Sequence, residues 1–465
     1  MYDAVIVGGG LAGLSAAHRL RHRNILLLEK DDRFGGRIRS ERRGPYWLNW
    51  GGHVYNGPGT ATGDLMAAVG IESTPVPGSL AGLAMNGRLL TKGRVETYPF
   101  RVPMSWSDRA ALLKAGAKVR LAVLKYAKVS APRDGEDYRV RQQRIYDFLG
   151  DRTFAEYVGE LPHDADALFR PTVSRSAGDP EQVSAGAGVG YFHLVWNKTG
   201  GLTRNIVGGP STLTETIGAG LGDAGRLGAE VHEVVHGKDH VVVRYRHLGV
   251  EHEVKARHVV LATTAPVTAR IAPDLDDDVR DALGRIEYGP YVAAAFLTNE
   301  TGRQVWDDSY AIATPKRAFN VFFNMSNIVR AAEQTRGQGS SIMAFSPARL
   351  ARPLIEQSDA KILDAYYRDL DDLFPGFSGL VEEAHVQRWH HGLAYCFPGR
   401  GRLQAALTRR NSRIRLAGDY LGTWYTETAV QTGFAAAQDI LSALAVPGGR
   451  LQAVEAPSLI GANHG

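Results

Sequence analysis

Residues 4–29 decide the fold. An apolar run, Ala4-Val-Ile-Val7, leads into a glycine-rich turn, Gly8-Gly-Gly-Leu-Ala-Gly13. A helical pattern over Leu14–Leu20 follows, and a second apolar run, Ile25-Leu-Leu-Leu28, ends at Glu29. A buried strand, a tight turn, a helix and a second buried strand together form a βαβ unit. The segment therefore predicts an α/β domain that is built on a parallel sheet.

The glycine turn of this unit has the spacing of a dinucleotide site. Gly8 allows the tight turn, Gly10 lets the backbone approach a pyrophosphate, and Gly13 lets the helix pack closely on the strand. The free N–H groups at the helix N-terminus attract phosphate. Glu29 lies 21 residues after Gly8, where a carboxylate accepts hydrogen bonds from a ribose. The predicted dinucleotide-binding residues are Gly8, Gly10, Leu11, Ala12, Gly13 and Glu29.

Composition limits the remaining choices. The chain has 465 residues, of which 44% are hydrophobic, so we expect two or three folded modules. Its single cysteine, Cys396, can form neither an internal disulfide nor a cysteine-rich metal cluster. No histidine–carboxylate spacing indicates a metal site, and every apolar run is shorter than a membrane span requires. With no secretory leader before the first strand, these features favour a cytoplasmic protein.

Three further motifs resemble the flavin-dependent amine oxidase superfamily. In chain order they are Lys30-Asp-Asp-Arg-Phe-Gly35-Gly36-Arg37, then Trp47-Leu-Asn-Trp-Gly51-Gly52-His53, and finally Gly418-Asp419 followed by Thr428-Ala429-Val430. The resemblance spans nearly the whole chain. A segment from Thr153 to Ser184 is similar to the protoporphyrinogen oxidase and carotenoid desaturase branch of the superfamily.

This resemblance implies a fold that combines α/β and α+β parts. A GR2-type, Rossmann-like FAD-binding domain is assembled from split segments, and a mixed sheet-and-helix substrate domain is inserted between them. The expected segments are 1–85, 205–285 and 400–446 for FAD and 86–204, mostly helical, with 286–399 for substrate. Residues 447–465 are expected to form a loosely ordered tail.

The resemblance also implies non-covalent FAD as the cofactor. Some relatives attach FAD through a cysteine, but Cys396 is too close to Phe397 and Pro398 to match that register. Besides the glycine turn and Glu29, the implied FAD-binding residues are Lys30, Gly35, Gly36, Arg37, Gly51, Gly52, His53, Val231, Trp389, Gly418, Asp419, Thr428, Ala429 and Val430.

Candidate catalytic residues come from the same resemblance. Tyr425 matches one of two aromatic rings that guide substrates in amine oxidases, and Tyr395 is the candidate for the other. His53 follows the Gly51-Gly52 turn, where an imidazole could accept a proton, although such histidines and tyrosines are often structural. Family amine oxidases commonly carry a lysine on the strand where this chain has Ala293, which disfavours fast oxygen-dependent amine oxidation.

The predicted function is that of an FAD-dependent oxidoreductase, which removes hydride from a carbon of a largely apolar small molecule. The product would contain C=C or C=N, and the electrons would pass to oxygen or another acceptor. One alternative is an amine oxidase that releases hydrogen peroxide. A second is a flavin-dependent isomerase without net redox, and a third is a membrane-surface protein in which FAD is structural.

Positive charge is concentrated in residues 101–152, which hold 12 basic and six acidic side chains in a chain of net charge +5. Residues 109–128 have helical periodicity, with lysines spread around leucines. A solvated helix face is the plain interpretation, and peripheral contact with an anionic membrane is the alternative. Aromatic residues are not interleaved with these charges, which argues against a surface that binds nucleic acid. Residues 131–144 predict a polar surface loop.

Overall fold

The computed structural model describes residues 1–78, 82–93, 95–196, 202–331, 336–410, 412–423 and 425–445. Its strands are β1 Tyr2–Val7, β2 Ile25–Leu28, β3 Ser40–Arg43, β4 Tyr46–Asn49, β5 Tyr55–Asn56, β6 Ser73–Pro75, β7 Gly82–Met85, β8 Arg88–Leu90, β9 Leu202–Ile206, β10 Gly225–Arg226, β11 Ala229–His236, β12 Val241–His247, β13 Val250–Leu261, β14 Tyr288–Thr298, β15 Ala311–Ala313, β16 Val321–Asn324, β17 Ser341–Pro347, β18 Val381–Ala394 and β19 Ile414–Leu416.

The α-helices alternate with these strands along the chain. They are α1 Leu11–Leu20, α2 Ala61–Ala68, α3 Tyr98–Arg101, α4 Trp106–Ser130, α5 Tyr138–Asp147, α6 Phe154–Val158, α7 His163–Ser174, α8 Ala185–Trp196, α9 Ser211–Ala219, α10 Ala265–Ile271, α11 Asp277–Gly284, α12 Asn327–Arg330, α13 Asp359–Leu373, α14 Gln404–Leu407 and α15 Tyr425–Ala445.

The predicted βαβ unit lies at the centre of the first sheet. Strand β1 pairs in parallel with β2 on one side and with β13 on the other, and β13 pairs in parallel with β19. Alternate β1 side chains face opposite cores: Ile6 packs with α1 and α15, while Val5 packs with α10 and α11. Because helices cover both faces, β1 and β2 carry apolar residues on both faces. The parallel sheet predicted from the N-terminal segment is therefore confirmed.

A second sheet has the order β18-β14-β17-β16-β15-β7-β8, and most of its strands come from residues 286–399, which are predicted to belong to the substrate domain. Strand β7 pairs in parallel with β15, with Gly82 opposite Ile312. The predicted boundary after residue 85 is therefore wrong, because β7 lies in this sheet rather than in the first one. The backbone of β7 is held by β15 and β8, and Leu83 and Met85 are buried with Tyr98 and Val102.

Residues 98–196 are mostly helical, as predicted, and helices α3 to α8 form one layer. One prediction within it is wrong: residues 131–144 are not all loop, since α5 begins at Tyr138. The Asp137 side chain caps this helix by accepting a hydrogen bond from the Arg139 amide, and Ile145 and Tyr146 are buried. The predicted tail, 447–465, lies outside the described residues. No helix in the described part of the chain is long and apolar enough to cross a membrane.

Helix α15 crosses α1 so closely that only glycine fits at the contact. A Cβ atom on Gly433 would lie 2.2 Å from the Ala12 carbonyl oxygen and 3.0 Å from the Ser15 Cβ. A helical glycine normally lowers helix stability. Gly433 is therefore required by packing between the two helices.

We expect Gly433→Ala to lower the free energy of unfolding by about 1–3 kcal/mol, because the new methyl group must separate α1 from α15. The matched control is Gly116→Ala in α4, where a Cβ meets no atom within 4 Å. This control should raise stability by up to about 1 kcal/mol through helix propensity. Chemical unfolding measures both changes, and stabilisation by Gly433→Ala would contradict the tight crossing.

Candidate functional site

The glycine turn between β1 and α1 leaves space for a ligand at one residue. Gly8 has a φ of +102°, and a Cβ on Gly13 would lie 1.9 Å from the Gly8 carbonyl oxygen. By contrast, a Cβ on Gly10 would meet no atom within 4 Å. Backbone atoms therefore fill the space beside Gly8 and Gly13, whereas the space beside Gly10 is open. Next to Gly10, the first amides of α1 at Leu11 and Ala12 begin the helix.

Glu29 lies at the end of β2 and is 8% exposed. One carboxylate oxygen accepts a hydrogen bond from the Gly9 amide at 2.6 Å, and the other accepts one from the Asp31 amide at 2.9 Å. Each oxygen keeps acceptor capacity beyond its single amide bond. The arrangement fixes the carboxylate beside the glycine turn, which suits a ribose hydroxyl donor.

The Gly35-Gly36 turn packs on the glycine turn. The Gly35 amide donates to the Gly9 carbonyl at 2.8 Å, and a Cβ on Gly36 would lie 3.3 Å from the Gly10 Cα. Arg33 holds this turn from outside, since its guanidinium donates to the carbonyls of Gly36 and Ile38. Sequence reasoning missed Arg33, although its position between Glu29 and the glycine pair was an available signal.

Arg37 and Asp419 join the N-terminal motif to the C-terminal motif. The guanidinium donates two hydrogen bonds to the carboxylate, at 2.8 and 2.7 Å, and a third to the Gly392 carbonyl. Burial opposes the charged guanidinium, but the Asp419 carboxylate outweighs it and raises the pKa of Arg37. Asp419 itself is 8% exposed. A bidentate pair of this kind fixes both geometry and charge.

His53 follows a turn that also requires close backbone approach. A Cβ on Gly51 would lie 2.1 Å from the Arg37 carbonyl oxygen, and the Gly52 amide donates to that same oxygen. His53 Nδ1 lies 3.0 Å from the Gly51 carbonyl oxygen, which can only accept, so Nδ1 carries the proton. Nε2 is buried and has no hydrogen-bond partner among the described residues. Burial lowers the pKa of His53 to about 4.

The first turn of α15 meets this group from the C-terminal side. Thr428 and Val430 are buried there, and Ala429 is half-buried. Glu427 fixes the turn, because its carboxylate accepts from the amides of Ala61 and Thr62 at the start of α2. The hydroxyl of Thr432, one turn later, accepts from the Gly418 amide at 3.0 Å. Sequence reasoning missed Glu427, which no pattern around it indicated.

Three predicted FAD-binding residues occupy different settings. The Lys30 side chain extends into solvent and pairs with Asp31 at 2.6 Å, so only its backbone is near Glu29. Val231 is 9% exposed in β11, which begins where the Ala229 amide donates to the Glu29 carbonyl. The Trp389 indole donates to the Trp50 carbonyl at 2.9 Å. None of these contacts tests ligand binding, so all three stay predictions.

Two further tyrosines lie close to Tyr425. The Tyr425 ring lies 5.6 Å from the Tyr191 ring, and its hydroxyl donates to the Arg175 carbonyl at 3.2 Å. Tyr291 donates to the same carbonyl. Tyr395, the predicted partner ring, instead donates its hydroxyl to Glu287 and is 6% exposed. The ring that packs on Tyr425 is that of Tyr191, and the substrate-guiding roles of Tyr425 and Tyr395 stay predictions.

Arg175 brings an uncompensated positive charge to this group. It makes no salt bridge among the described residues, and its buried Nε has no hydrogen-bond partner there. Burial lowers the pKa of Arg175, which the nearby Tyr425 and Tyr291 hydroxyls partly oppose. The positive charge of Arg175 also acts on the buried His53 imidazole, because it contributes to lowering the pKa of His53.

A pocket lies where the helical layer meets the C-terminal motif. Its lining includes Tyr126, Tyr191, Leu194, Leu393, Asp419 and Tyr425. Cys396 also lines it, and burial raises the pKa of the thiol, so this sulfur is a poor nucleophile there. The pocket therefore combines apolar and aromatic walls with one carboxylate that is already paired to Arg37.

Ala293, where the family's lysine was expected, is 1% exposed on β14. It belongs to an apolar cluster with Trp47, Trp50, Phe323 and Phe345. Phe323 in turn packs edge-on against His53, with ring centroids 4.7 Å apart. The surroundings of Ala293 are therefore apolar, and they would not solvate a lysine ammonium group.

Comparison with protein families gives one match over most of the chain. Residues 11–441 match the family of flavin containing amine oxidoreductases. Flavin-containing amine oxidase A from Equus caballus is 26% identical, over 96% of this chain and 86% of that protein. A flavin-containing amine oxidase from Danio rerio is 25% identical, over 95% of this chain and 86% of that protein.

Solved structures share the fold. Cyclohexylamine oxidase from Brevibacterium oxydans superposes with a TM-score of 0.75 at 17% identity, covering 95% of this chain and 99% of that one. A putrescine oxidase bound to putrescine also gives 0.75, at 18% identity and the same coverage. At these identities the likeness concerns the fold alone, and it confirms the predicted combination of α/β and α+β parts.

We expect Asp419→Asn to lower the free energy of unfolding by about 2 kcal/mol, because Arg37 would keep its charge without a carboxylate partner. Asp151→Asn is the matched control, since Asp151 forms an exposed pair with Arg152 and such pairs add little stability. Chemical unfolding and retention of bound cofactor are the two measurements. Equal effects of both variants would contradict a structural role for the Arg37–Asp419 pair.

The lowered pKa of His53 predicts a loss of stability in acid. Because the folded pKa is about 4 and the unfolded value about 6.5, the unfolded state binds a proton first as pH falls. Stability therefore decreases from about pH 6.5 to about pH 4, by about 3 kcal/mol at most. His53→Gln should flatten this part of the stability profile, and His390→Gln, at an exposed position, is the control. An unchanged profile in His53→Gln would contradict a neutral, buried imidazole.

Proposed function

The chain belongs to the flavin-containing amine oxidoreductases and FAD is its cofactor; from this premise we propose that it removes hydride from a carbon of a largely apolar small molecule. The product contains C=C or C=N. Bound FAD supplies the hydride acceptor, and the electrons then pass to oxygen or another acceptor. The observation that carries the proposal is the pocket with aromatic and apolar walls beside Tyr425 and the C-terminal motif.

The described residues fit FAD. We propose that the open space at Gly10 and the first amides of α1 receive the pyrophosphate, while Glu29 accepts the adenosine ribose. The Arg37–Asp419 pair and the Gly51-Gly52 turn bring backbone groups toward the remainder of the cofactor. The first turn of α15 lies on the same side, and the buried Thr426 hydroxyl has no hydrogen-bond partner among the described residues. A helix N-terminus there stabilises developing negative charge.

Substrate positioning is assigned to the tyrosines around Arg175. Tyr425 and Tyr291 are both held by the Arg175 carbonyl, so their rings are fixed before substrate arrives. Tyr191 packs on Tyr425 at 5.6 Å and limits the width of the pocket. Fixed rings orient a C–H bond at low entropic cost, and the surrounding apolar residues exclude water.

His53, the predicted proton acceptor, is assigned the role of a hydrogen-bond acceptor toward the substrate. Its Nε2 is the unprotonated nitrogen, is buried and lacks a partner among the described residues. With a pKa of about 4, the imidazole stays neutral at physiological pH and is a weak base there. It therefore suits a reaction in which it accepts a hydrogen bond from the substrate rather than a full proton.

Two features favour a substrate other than an amine. The Arg175 guanidinium near Tyr425 lacks a carboxylate partner in the described residues, and a like charge disfavours a bound ammonium group. Ala293 stands where family amine oxidases commonly have the lysine associated with reoxidation by oxygen. The resemblance of residues 153–184 to the desaturase branch supports the same choice.

The second candidate is an amine oxidase that releases hydrogen peroxide. The relatives at 25–26% identity over nearly the full chain carry that name, and a neutral amine would escape repulsion by Arg175. This candidate shares the cofactor, the pocket and the direction of hydride transfer with the first. The two candidates therefore differ in the substrate and in the electron acceptor.

Anaerobic mixing of the purified flavoprotein with test compounds distinguishes these candidates. We expect cyclic and isoprenoid compounds without nitrogen to bleach the flavin absorbance faster than primary amines of the same carbon skeleton. Faster bleaching by the amines, with hydrogen peroxide on admission of air, would favour the second candidate. Tyr425→Phe should keep the flavin spectrum and change the substrate concentration needed for half-maximal bleaching. If no compound of either class reduces the flavin, both candidates are contradicted.

A further inference from the structure

Helix α4 exposes four large apolar side chains. Trp106 is 81% exposed, Leu113 43%, Leu121 63% and Leu124 54%. At about 100° per residue, Trp106, Leu113 and Leu124 fall on one line along the helix, and Leu121 lies about 80° round from Leu113. We call these four residues and the lysines beside them the α4 outer face.

Basic side chains border this apolar line and acidic ones do not. Lys114, Lys125 and Lys128 are exposed and make no salt bridge among the described residues. On the other border, Arg109 stacks on Trp106 and the exposed Arg120 lies over Trp196. The single acid of α4 is Asp108, whose carboxylate accepts hydrogen bonds from the Ser105 hydroxyl and the Asp164 amide. The face is therefore amphipathic and positively charged.

The opposite face of α4 is buried against the other helices of the layer. Leu112, Val119 and Val123 are buried in the core of the helical layer. Tyr126, on the same inner face, lines the pocket near Tyr425. The leucines of the outer face are therefore not part of an incomplete core, and α4 is held in place without them.

We propose that the α4 outer face docks on an anionic lipid bilayer. A helix lying in the membrane interface buries tryptophan and leucine among the acyl chains while lysines on its borders bind anionic headgroups. The excess charge is local: outside residues 101–152 the chain has 42 basic and 43 acidic residues. A surface that is basic and apolar along one 25-residue helix is complementary to a negatively charged bilayer.

Flotation of the FAD-bound protein with lipid vesicles tests the proposal. We expect binding to vesicles that contain phosphatidylglycerol, weak binding to phosphatidylcholine alone, and loss of binding as salt screens the charges. Failure of the wild-type protein to float with phosphatidylglycerol vesicles would overturn the proposal. This result would leave the proposed function untouched, since flavin reduction is measured without lipid.

Two variants separate charge from apolar insertion, each with a matched control. Lys125→Glu/Lys128→Glu should lower the partition coefficient at least about tenfold. Lys238→Glu/Lys255→Glu should not, although it makes the same change in net charge at exposed positions between β11 and β12 and in β13. Leu121→Ser/Leu124→Ser should lower it by a similar factor. Its control is Leu248→Ser/Val250→Ser, since Leu248 is 86% and Val250 57% exposed in another part of the chain.

The flavin spectrum of each variant reports folding, and all four should keep the wild-type spectrum because every changed residue is exposed. Equal losses of vesicle binding in variants and controls would overturn the proposal. So would a dimer of the wild-type chain that Leu121→Ser/Leu124→Ser converts to monomer, because the outer face would then be covered by a second copy.

Discussion

The close crossing of α1 and α15 is the constraint on which the rest of the molecule depends. Gly433 allows the two helices to approach until a methyl group would meet the Ala12 carbonyl. The bidentate ion pair of Arg37 and Asp419 is a second link between the N-terminal and C-terminal parts of the chain. Together they place the first turn of α15 opposite the glycine turn of β1. The nucleotide site is therefore made by contacts between distant parts of the chain rather than by one local motif.

The same junction orients the pocket. Gly418 and Asp419 precede α15 in the chain, and the Gly418 amide donates to the hydroxyl of Thr432 in that helix. Tyr425, the first residue of α15, packs against Tyr191 of the helical layer. One wall of the pocket thus includes the C-terminal motif and Tyr425, and another belongs to α4 and α8. A shift of the helical layer would therefore change the pocket directly.

The sequence predicted the parts of the site that depend on local backbone geometry. The glycine turn and Glu29 are recognisable because glycine is required by positive φ or close approach within a few residues. The contact between Tyr425 and Tyr191 could not be predicted in this way, since it depends on how α15 and α8 pack together. Arg175 carries no motif, and β7 was assigned to the wrong part of the chain because its partner, β15, lies more than 200 residues away. Helix α5 was missed because charged residues mask its three buried positions, Gln142, Ile145 and Tyr146.

The junction between α1 and α15 also has a consequence for biosynthesis. At roughly 5–20 residues per second, about 20–80 s pass between emergence of the glycine turn and emergence of Gly433 from the ribosome. Until then the nascent βαβ unit lacks the helix that covers α1, and its apolar surface is available to chaperones. We therefore expect FAD to bind only late in synthesis, after the C-terminal helix has left the ribosome.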